Sequence, residues 1–427
     1  MRVVLVNRYF WPDESATSRM VSSLAFGLAA HGFKVEVLAS RQRHEERETL
    51  LPRNECARDA RIHRLPATRF GRGGLAGRAA DYASFQLATS LWCLANLRRD
   101  DVVIACTDPP LLSVGMASVV ALRGGRLINW LHDIFPEVAI ELGVLARNSA
   151  VARIALALRD RSLRRAELNV VPTASMAEAL HRRGLLPKHA RTIPYWSEDE
   201  IEPVPSADNP LRAKWGLHDT FVVGYSGNFG RSHEFGTLIE AATLLRHERD
   251  IRFLLIGGGH GRGRVEAEIE RRGLTNVLLQ PLQPRERLAE SLSAPDLHLI
   301  SLLPDLEPYV VPSKLYGILA AGRPAIFIGS GSGEVATALR QYGCGETVPI
   351  GAAAELAEYI IALRGDVARR EQMGRHARWA FEAGHRRDDA IETWAGILAS
   401  MRKREGQLRL PDAGPPYSAA SGDTSKD

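Results

Sequence analysis

Lys314 follows Pro312-Ser313 and leads an apolar stretch that Gly322-Arg323-Pro324 closes. Proline at the entry and glycine at the exit mark a short helix, 314–321. The first turn of a helix attracts anions through its free amides and positive dipole end. Ser313 is placed to cap that turn, and Lys314 adds a full positive charge. A phosphate-bearing ligand suits this corner, which lies within the acidic and aromatic stretch Glu307 to Glu334. A second anion-seeking loop reads Ser226-Gly227-Asn228-Phe229-Gly230-Arg231. Its glycines let backbone amides approach an oxyanion, and Arg231 reaches phosphate. His132-Asp133, in the segment HDIFPE, follows a predicted strand, where the pair can orient a hydroxyl or take its proton. Trp11, Asp13, Glu14, Ser15 and Ala16 open a helix after the first strand and read as a wall of the same cleft. Each feature also has a plainer reading: an ordinary capped corner, a structural His-Asp pair, an aromatic cap.

Other chemistries find no support. The turn after the first strand, NRYFWPDESATS, lacks G-x-G. The run Gly257-Gly258-Gly259 is glycine-rich but has no acidic ribose partner about 20 residues on. No Walker loop, H-E-x-x-H, G-x-S-x-G or EF-hand pattern occurs. The four cysteines, Cys56, Cys93, Cys106 and Cys344, have no metal-ligand spacing and are too few for a disulfide scaffold. They suit a reducing cytoplasm. The chain runs straight into a strand without a signal-peptide pattern, and its longest apolar run, 109–122, is too short to span a bilayer.

The elements that must position these residues alternate. In the first half, strands are predicted at 3–6, 35–38, 61–65, 102–105, 126–131 and 168–171. Helices are predicted at 20–29, 82–97, 112–122, 149–165 and 175–183. After an acidic, proline-containing linker at 196–208 the pattern restarts. Strands fall at 221–225, 253–256, 277–279, 297–302 and 325–329, with helices between them and at 354–364, 369–383 and 388–401. Such alternation implies parallel sheets covered on both faces, with ligands beyond the carboxyl ends of the strands. The chain is therefore read as α/β, two doubly wound Rossmann-like domains facing a cleft. Residues 1–195 form the first domain and 196–385 the second. Residues 386–402 form a helix returning to the first domain, and 403–427, rich in Pro, Gly and Ser, a disordered tail.

Six motifs in order, YFWPDESATS, TDPPL, HDIFPE with ELGVL, YSGNFGRSHEF, FLLIGGG and VPSKLYGILAAGRPAI, resemble the family 4 glycosyltransferases of GT-B fold. Within that family the likeness is to the bacterial colanic-acid and N-acetylfucosamine type of surface-polysaccharide transferase, over roughly residues 1–400. The resemblance implies metal-independent, retaining transfer from a nucleotide-sugar, most often UDP-linked, which is substrate rather than cofactor. It implies a saccharide or polyprenyl-diphosphate-linked acceptor. His132, Asp133, Arg231 and Lys314 are the implied catalytic residues. Gly227, Asn228, Gly230, His233, Gly257, Gly258, Leu282, Glu307, Tyr309, Val311, Pro312, Ser313, Leu315 and Tyr316 are implied at the donor. The family's diphosphate-binding arginine and lysine fall on Asn228 and His233, and its E-x7-E carboxylates on Tyr309 and Gly317, so those groups are replaced here. A UDP-sugar 2-epimerase and a non-catalytic nucleotide-sugar-binding subunit are the alternatives on the same scaffold.

Residues 1–200 hold 28 Lys+Arg against 21 Asp+Glu, a net of +7; the whole chain is +5, leaving −2 for the rest. A basic front half fits an anionic membrane or a phosphorylated acceptor. The helix at 149–165 carries an apolar face and many arginines, which fits packing on the sheet with the arginines solvated and, at its edge, peripheral contact with the inner membrane. The arginines are scattered over the domain without a nucleic-acid-binding motif, so no nucleic-acid partner is expected.

Overall fold

A computed structural model describes residues 1–44, 50–71, 74–186 and 189–408. Strands β1 (Arg2–Val6), β2 (Lys34–Ser40), β3 (Asn54–Ala57), β4 (Ala60–Leu65), β5 (Val102–Ala105), β6 (Arg126–Trp130), β7 (Leu168–Val171) and β8 (Ala190–Thr192) form the first sheet. Its order is β3-β4-β2-β1-β5-β6-β7-β8, parallel apart from the β3–β4 pair. Strands β9 (Phe221–Ser226), β10 (Ile251–Ile256), β11 (Val277–Gln280), β12 (Leu297–Ser301), β13 (Ala325–Ile328) and β14 (Gly345–Val348) form a second, parallel sheet in the order β11-β10-β9-β12-β13-β14. Central strands such as β5 and β12 are buried along their whole length. Both faces of each sheet are therefore covered, as parallel strands joined by helical crossovers require.

The chain crosses between the sheets twice, and the two crossings are tied together. The Ser197 amide donates to the His385 carbonyl oxygen at 3.1 Å, and Arg387 and Asp388 amides donate to the Asp199 carboxylate. The segment 196–208 is not a loose linker. Trp196 stacks on Trp130 at 5.7 Å in the first domain's core, and Ile201 lies in the second domain's core. After the second crossing, helix Arg387–Leu408 packs on helix Ala16–Ala30. Gly27 makes room for it: a Cβ there would sit 2.7 Å from Ile391 side-chain carbons. This last helix runs past 402 to Leu408, so residues 403–408 are helical rather than disordered. The rest of the expected tail, from 409, lies outside the described residues.

Candidate functional site

The loop after β6 meets the loop after β12, where Asp133 bridges Val310, and the candidate residues lie on loops at the carboxyl ends of the strands. The β9 and β10 loops are nested. A Cβ on Gly257, at φ +154°, would lie 1.9 Å from the Gly227 carbonyl oxygen; one on Gly259, at φ +120°, would lie 2.0 Å from Asn228 Oδ1. Neither position admits a side chain. The Phe229 amide donates to the Gly258 carbonyl oxygen at 2.7 Å and the Gly261 amide to that of Phe229 at 2.8 Å. Arg262, which the sequence reading missed, clamps the base of these loops by donating to the Gly257 and Gln280 carbonyl oxygens. The exposed Arg231 makes no ion pair among the described residues; its guanidinium lies 3.4 Å from His260 Nε2.

Lys314 is the unusual group. Its ammonium lies 3.7 Å from the centroid of the Tyr225 ring, buried and without a hydrogen-bond partner among the described residues. Gly227, at φ +136°, leaves it room: a Cβ there would touch Lys314 Cε at 3.5 Å. Burial pushes the ammonium's pKa well below its usual value. A buried cation with no anion beside it is costly, and a diphosphate would supply the missing partner. His233 stands near it. Its Nδ1–H donates to the Ser301 carbonyl oxygen at 2.5 Å, and burial, with the Lys314 charge, brings its pKa down to about 3. His233 is thus a neutral brace, in the position where the resemblance sets a cation.

Other expected contacts are arranged differently. Ser313 makes no side-chain cap bond, because it already has helical backbone angles (φ −56°, ψ −17°). Leu315 and Pro312 are buried, Leu315 within the second domain's core. Tyr316 is buried between domains, 5.9 Å from Tyr195 and 4.9 Å from His385 by ring centroids. Glu307 accepts from the Ser330 amide at 3.0 Å and so holds the small-residue loop 330–333. Leu282 is exposed on the loop after β11. A Cβ on Gly317 would meet Leu292 at 3.0 Å and Ser197 Oγ at 4.0 Å, so this position faces the linker.

On the facing domain, His132 and Asp133 part company. His132 is buried in an aromatic nest. Nδ1 lies 2.8 Å from the Tyr195 hydroxyl, Trp130 is 4.5 Å away by ring centroid, and Nε2 is closed to solvent without a partner. Burial lowers its pKa to about 3, so it stays neutral near pH 7. The Asp133 carboxylate instead opens into the cleft, beside Thr107, Leu111 and Arg159, with no hydrogen bond or ion pair among the described residues. The residue is exposed, and desolvation by the surrounding protein raises its pKa to about 6.

Asp13 is committed to structure. Its carboxylate accepts from the Ser15 amide and hydroxyl and from the His44 amide. Glu14 pairs with Arg19. Trp11 packs on Phe26 at 6.3 Å, with its carbonyl held by Arg64. Ala16 is exposed at the helix start, and the half-buried Ser15 is held by Asp13.

The domains also touch across the cleft. Asp133 forms an antiparallel bridge with Val310, and the Ile134 amide donates to the Tyr309 carbonyl oxygen. The Tyr309 and Val311 side chains pack into the first domain's cluster around Leu131, Ile134 and Met176. Further along, the Ser175 hydroxyl donates to Glu334 at 3.0 Å.

Comparison with known proteins agrees with this architecture. Residues 15–196 match the Glycosyl transferase 4-like domain and residues 208–379 the Glycosyl transferases group 1 domain. The putative colanic acid biosynthesis glycosyl transferase WcaI of Escherichia coli (strain K12) is 26% identical over 339 residues, covering 76% of this chain and 83% of that protein. Among solved structures, sucrose-phosphate synthase from Thermosynechococcus elongatus superposes with a TM-score of 0.72 at 19% identity, over 96% of this chain and 99% of its own. Anabaena Alr3699/HepE, in complex with UDP and glucose, gives 0.71 at 15% identity, over 94% and 100%. The fold is GT-B.

Proposed function

The chain belongs to the family 4 glycosyltransferases, a Glycosyl transferase 4-like domain followed by a group 1 domain, and on that premise we propose that it moves a sugar from a UDP-linked donor to a lipid- or saccharide-borne acceptor in surface-polysaccharide assembly. The observation that carries this reading is the Lys314 ammonium, buried and unpartnered against Gly227 and Tyr225. The likeness to WcaI supports the polysaccharide setting, and a UDP complex of a protein with this fold supports a nucleotide donor. An N-acetylated hexosamine or deoxyhexosamine is the sugar, and a polyprenyl diphosphate at the inner membrane surface carries the acceptor. The enzyme works on the cytoplasmic side, without a metal.

The chain's own groups divide the work. Lys314 and Arg231 neutralise charge on the departing diphosphate as the C1–O bond to phosphate breaks. The acceptor oxygen forms its bond to C1 on the same face, so configuration is retained, and its proton passes to the leaving phosphate oxygen. Asp133 accepts a hydrogen bond from a sugar hydroxyl and fixes its approach. The nested glycines hold the loops close enough for backbone to contact phosphate. Contacts between the domains exclude water that would otherwise hydrolyse the donor.

Calorimetric titration with UDP, GDP and dTDP tests the donor assignment. UDP binds best to the native chain, and Lys314→Met and Arg231→Ala each weaken it about tenfold or more, as loss of a charge-assisted contact does. Equal, weak binding of all three nucleotides, unchanged by either substitution, overturns it.

A further inference from the structure

Helix Leu75–Asn96 turns Ala76, Ala79, Ala83, Leu87, Leu91 and Leu94 outward, all exposed. Their spacing of three and four residues puts them on one side of the helix, in a stripe about 27 Å long at 1.5 Å per residue. The helix's charged residues, Arg78 and Asp81, lie off that stripe, and Asp81 is buried. A surface helix usually turns its charges outward, so this face is anomalous.

The stripe continues over two neighbours. Helix Leu112–Leu122 packs beside it, with Gly115 leaving room for Gln86, and ends at Leu122, 76% exposed. Helix Ala150–Arg165 follows, joined to it by a 2.9 Å hydrogen bond between the Ser113 and Ser162 hydroxyls. Its outer side begins with Val151 and Ile154, 64% and 59% exposed, continues with Leu158, and ends with Arg161, Arg164 and Arg165. With Arg153 these make four exposed arginines, none in an ion pair among the described residues. Arg159, on the inner side, is committed to Glu137 and Asp160. Val151 and Ile154 stand at the end of the helix nearer the cleft, since it runs back from there to the start of β7.

We propose that the outer face of these three helices docks on an anionic lipid bilayer, leucines and isoleucine entering the acyl boundary and arginines meeting headgroup phosphates. Charge favours this occupant over a second copy of the chain. In a two-fold contact the unpaired arginines of one copy would meet those of the other. Among the described residues no helix is long and apolar enough to cross a membrane, so the contact is superficial. The proposal rests on the lipid-linked acceptor for its purpose, but binding is read without any substrate.

Flotation of the full chain with vesicles of phosphatidylglycerol and phosphatidylethanolamine, and with phosphatidylcholine alone, tests it. The native chain floats with the anionic vesicles and much less with the neutral ones. Arg161→Gln and Arg164→Gln each weaken binding about fivefold, and the pair Leu87→Ser and Leu91→Ser about tenfold. All four positions are exposed, and unchanged circular dichroism verifies folding. No flotation at low salt, or equal flotation of native chain and variants, overturns the proposal. So does a dimer, seen by sedimentation velocity, that Leu87→Ser dissolves while no vesicle binds. Flotation with these signatures in a chain that transfers no sugar sustains the docking surface and removes the catalytic reading instead.

Discussion

The Ile134 amide donates to the Tyr309 carbonyl oxygen at 2.9 Å, and that bond joins the two domains across the cleft. Tyr309 stands where the resemblance sets a donor-binding carboxylate, yet its ring lies in the facing domain's apolar cluster. The loop that precedes Lys314 therefore holds the cleft together. Tyr309→Ala should lower kcat at least tenfold while UDP affinity stays within about twofold, because domain approach is lost and the phosphate corner is not. The hydroxyl makes no hydrogen bond among the described residues, so Tyr309→Phe should keep native kcat. Steady-state kinetics with a UDP titration checks both.

Asp133 gives a pH signature. Its acid form is favoured up to about pH 6 in the folded protein because the cleft desolvates the carboxylate. If the ionised form holds a sugar hydroxyl, kcat/KM should rise as pH passes upward through about 6. Asp133→Asn should flatten that limb and lower the plateau about a hundredfold. The same shift makes ionised Asp133 a burden on the fold: its contribution to stability is greatest below the ordinary carboxyl pKa and declines as pH rises through 6. His132→Gln should leave the limb in place, since His132 is neutral throughout this range.

Much of the scaffold was legible in the sequence, and the gaps have a common cause. Buried parallel strands read as unbroken apolar runs, so 102–105 and 297–302 stood out. The strands left unread, β3, β8 and β14, all lie at sheet edges, where short, half-exposed segments carry no such run. The site was legible as loops and not as side-chain directions. Nothing in HDIFPE tells that His132 turns inward and Asp133 outward, because this depends on Tyr195, 63 residues away. Asp13 looked available for chemistry, but its oxygens are taken by Ser15 and His44. Arg262 was hidden among many arginines; only the backbone path of the glycine loops shows what it holds.

Lys314 should trade stability for binding. Its depressed pKa means that the folded chain binds fewer protons than the unfolded one between the lowered value and the ordinary lysine value, so stability rises with pH across that window. Lys314→Met removes a buried, unpaired ammonium and should stabilise the unliganded protein by about 1–2 kcal/mol. At a pH inside that window, where the unliganded chain has given up the proton, UDP, by supplying the anion, should draw a proton back onto Lys314. Calorimetry in buffers of differing ionisation enthalpy should show proton uptake in the native chain and none in Lys314→Met.

Gly257→Ala tests the nested loops. The added methyl would collide with the Gly227 carbonyl oxygen at a backbone angle that side chains rarely adopt. A loss of about 2–4 kcal/mol in stability, or of detectable UDP binding in whatever folds, is expected in thermal melts and titration. Gly263→Ala, where a Cβ meets nothing within 4 Å, should be silent in both.

The central claim, that this cleft transfers a sugar from a nucleotide, is tested most directly by following label. Radiolabelled UDP-N-acetylhexosamines are incubated with a polyprenyl-diphosphate-linked sugar, and products are separated and weighed by mass spectrometry. Labelled lipid, UDP released in step with it and an anomeric configuration retained from the donor are expected, with loss of all three in Lys314→Met. Folded protein that transfers nothing from any UDP-, GDP- or dTDP-sugar, or that converts free UDP-sugar without an acceptor, would contradict it.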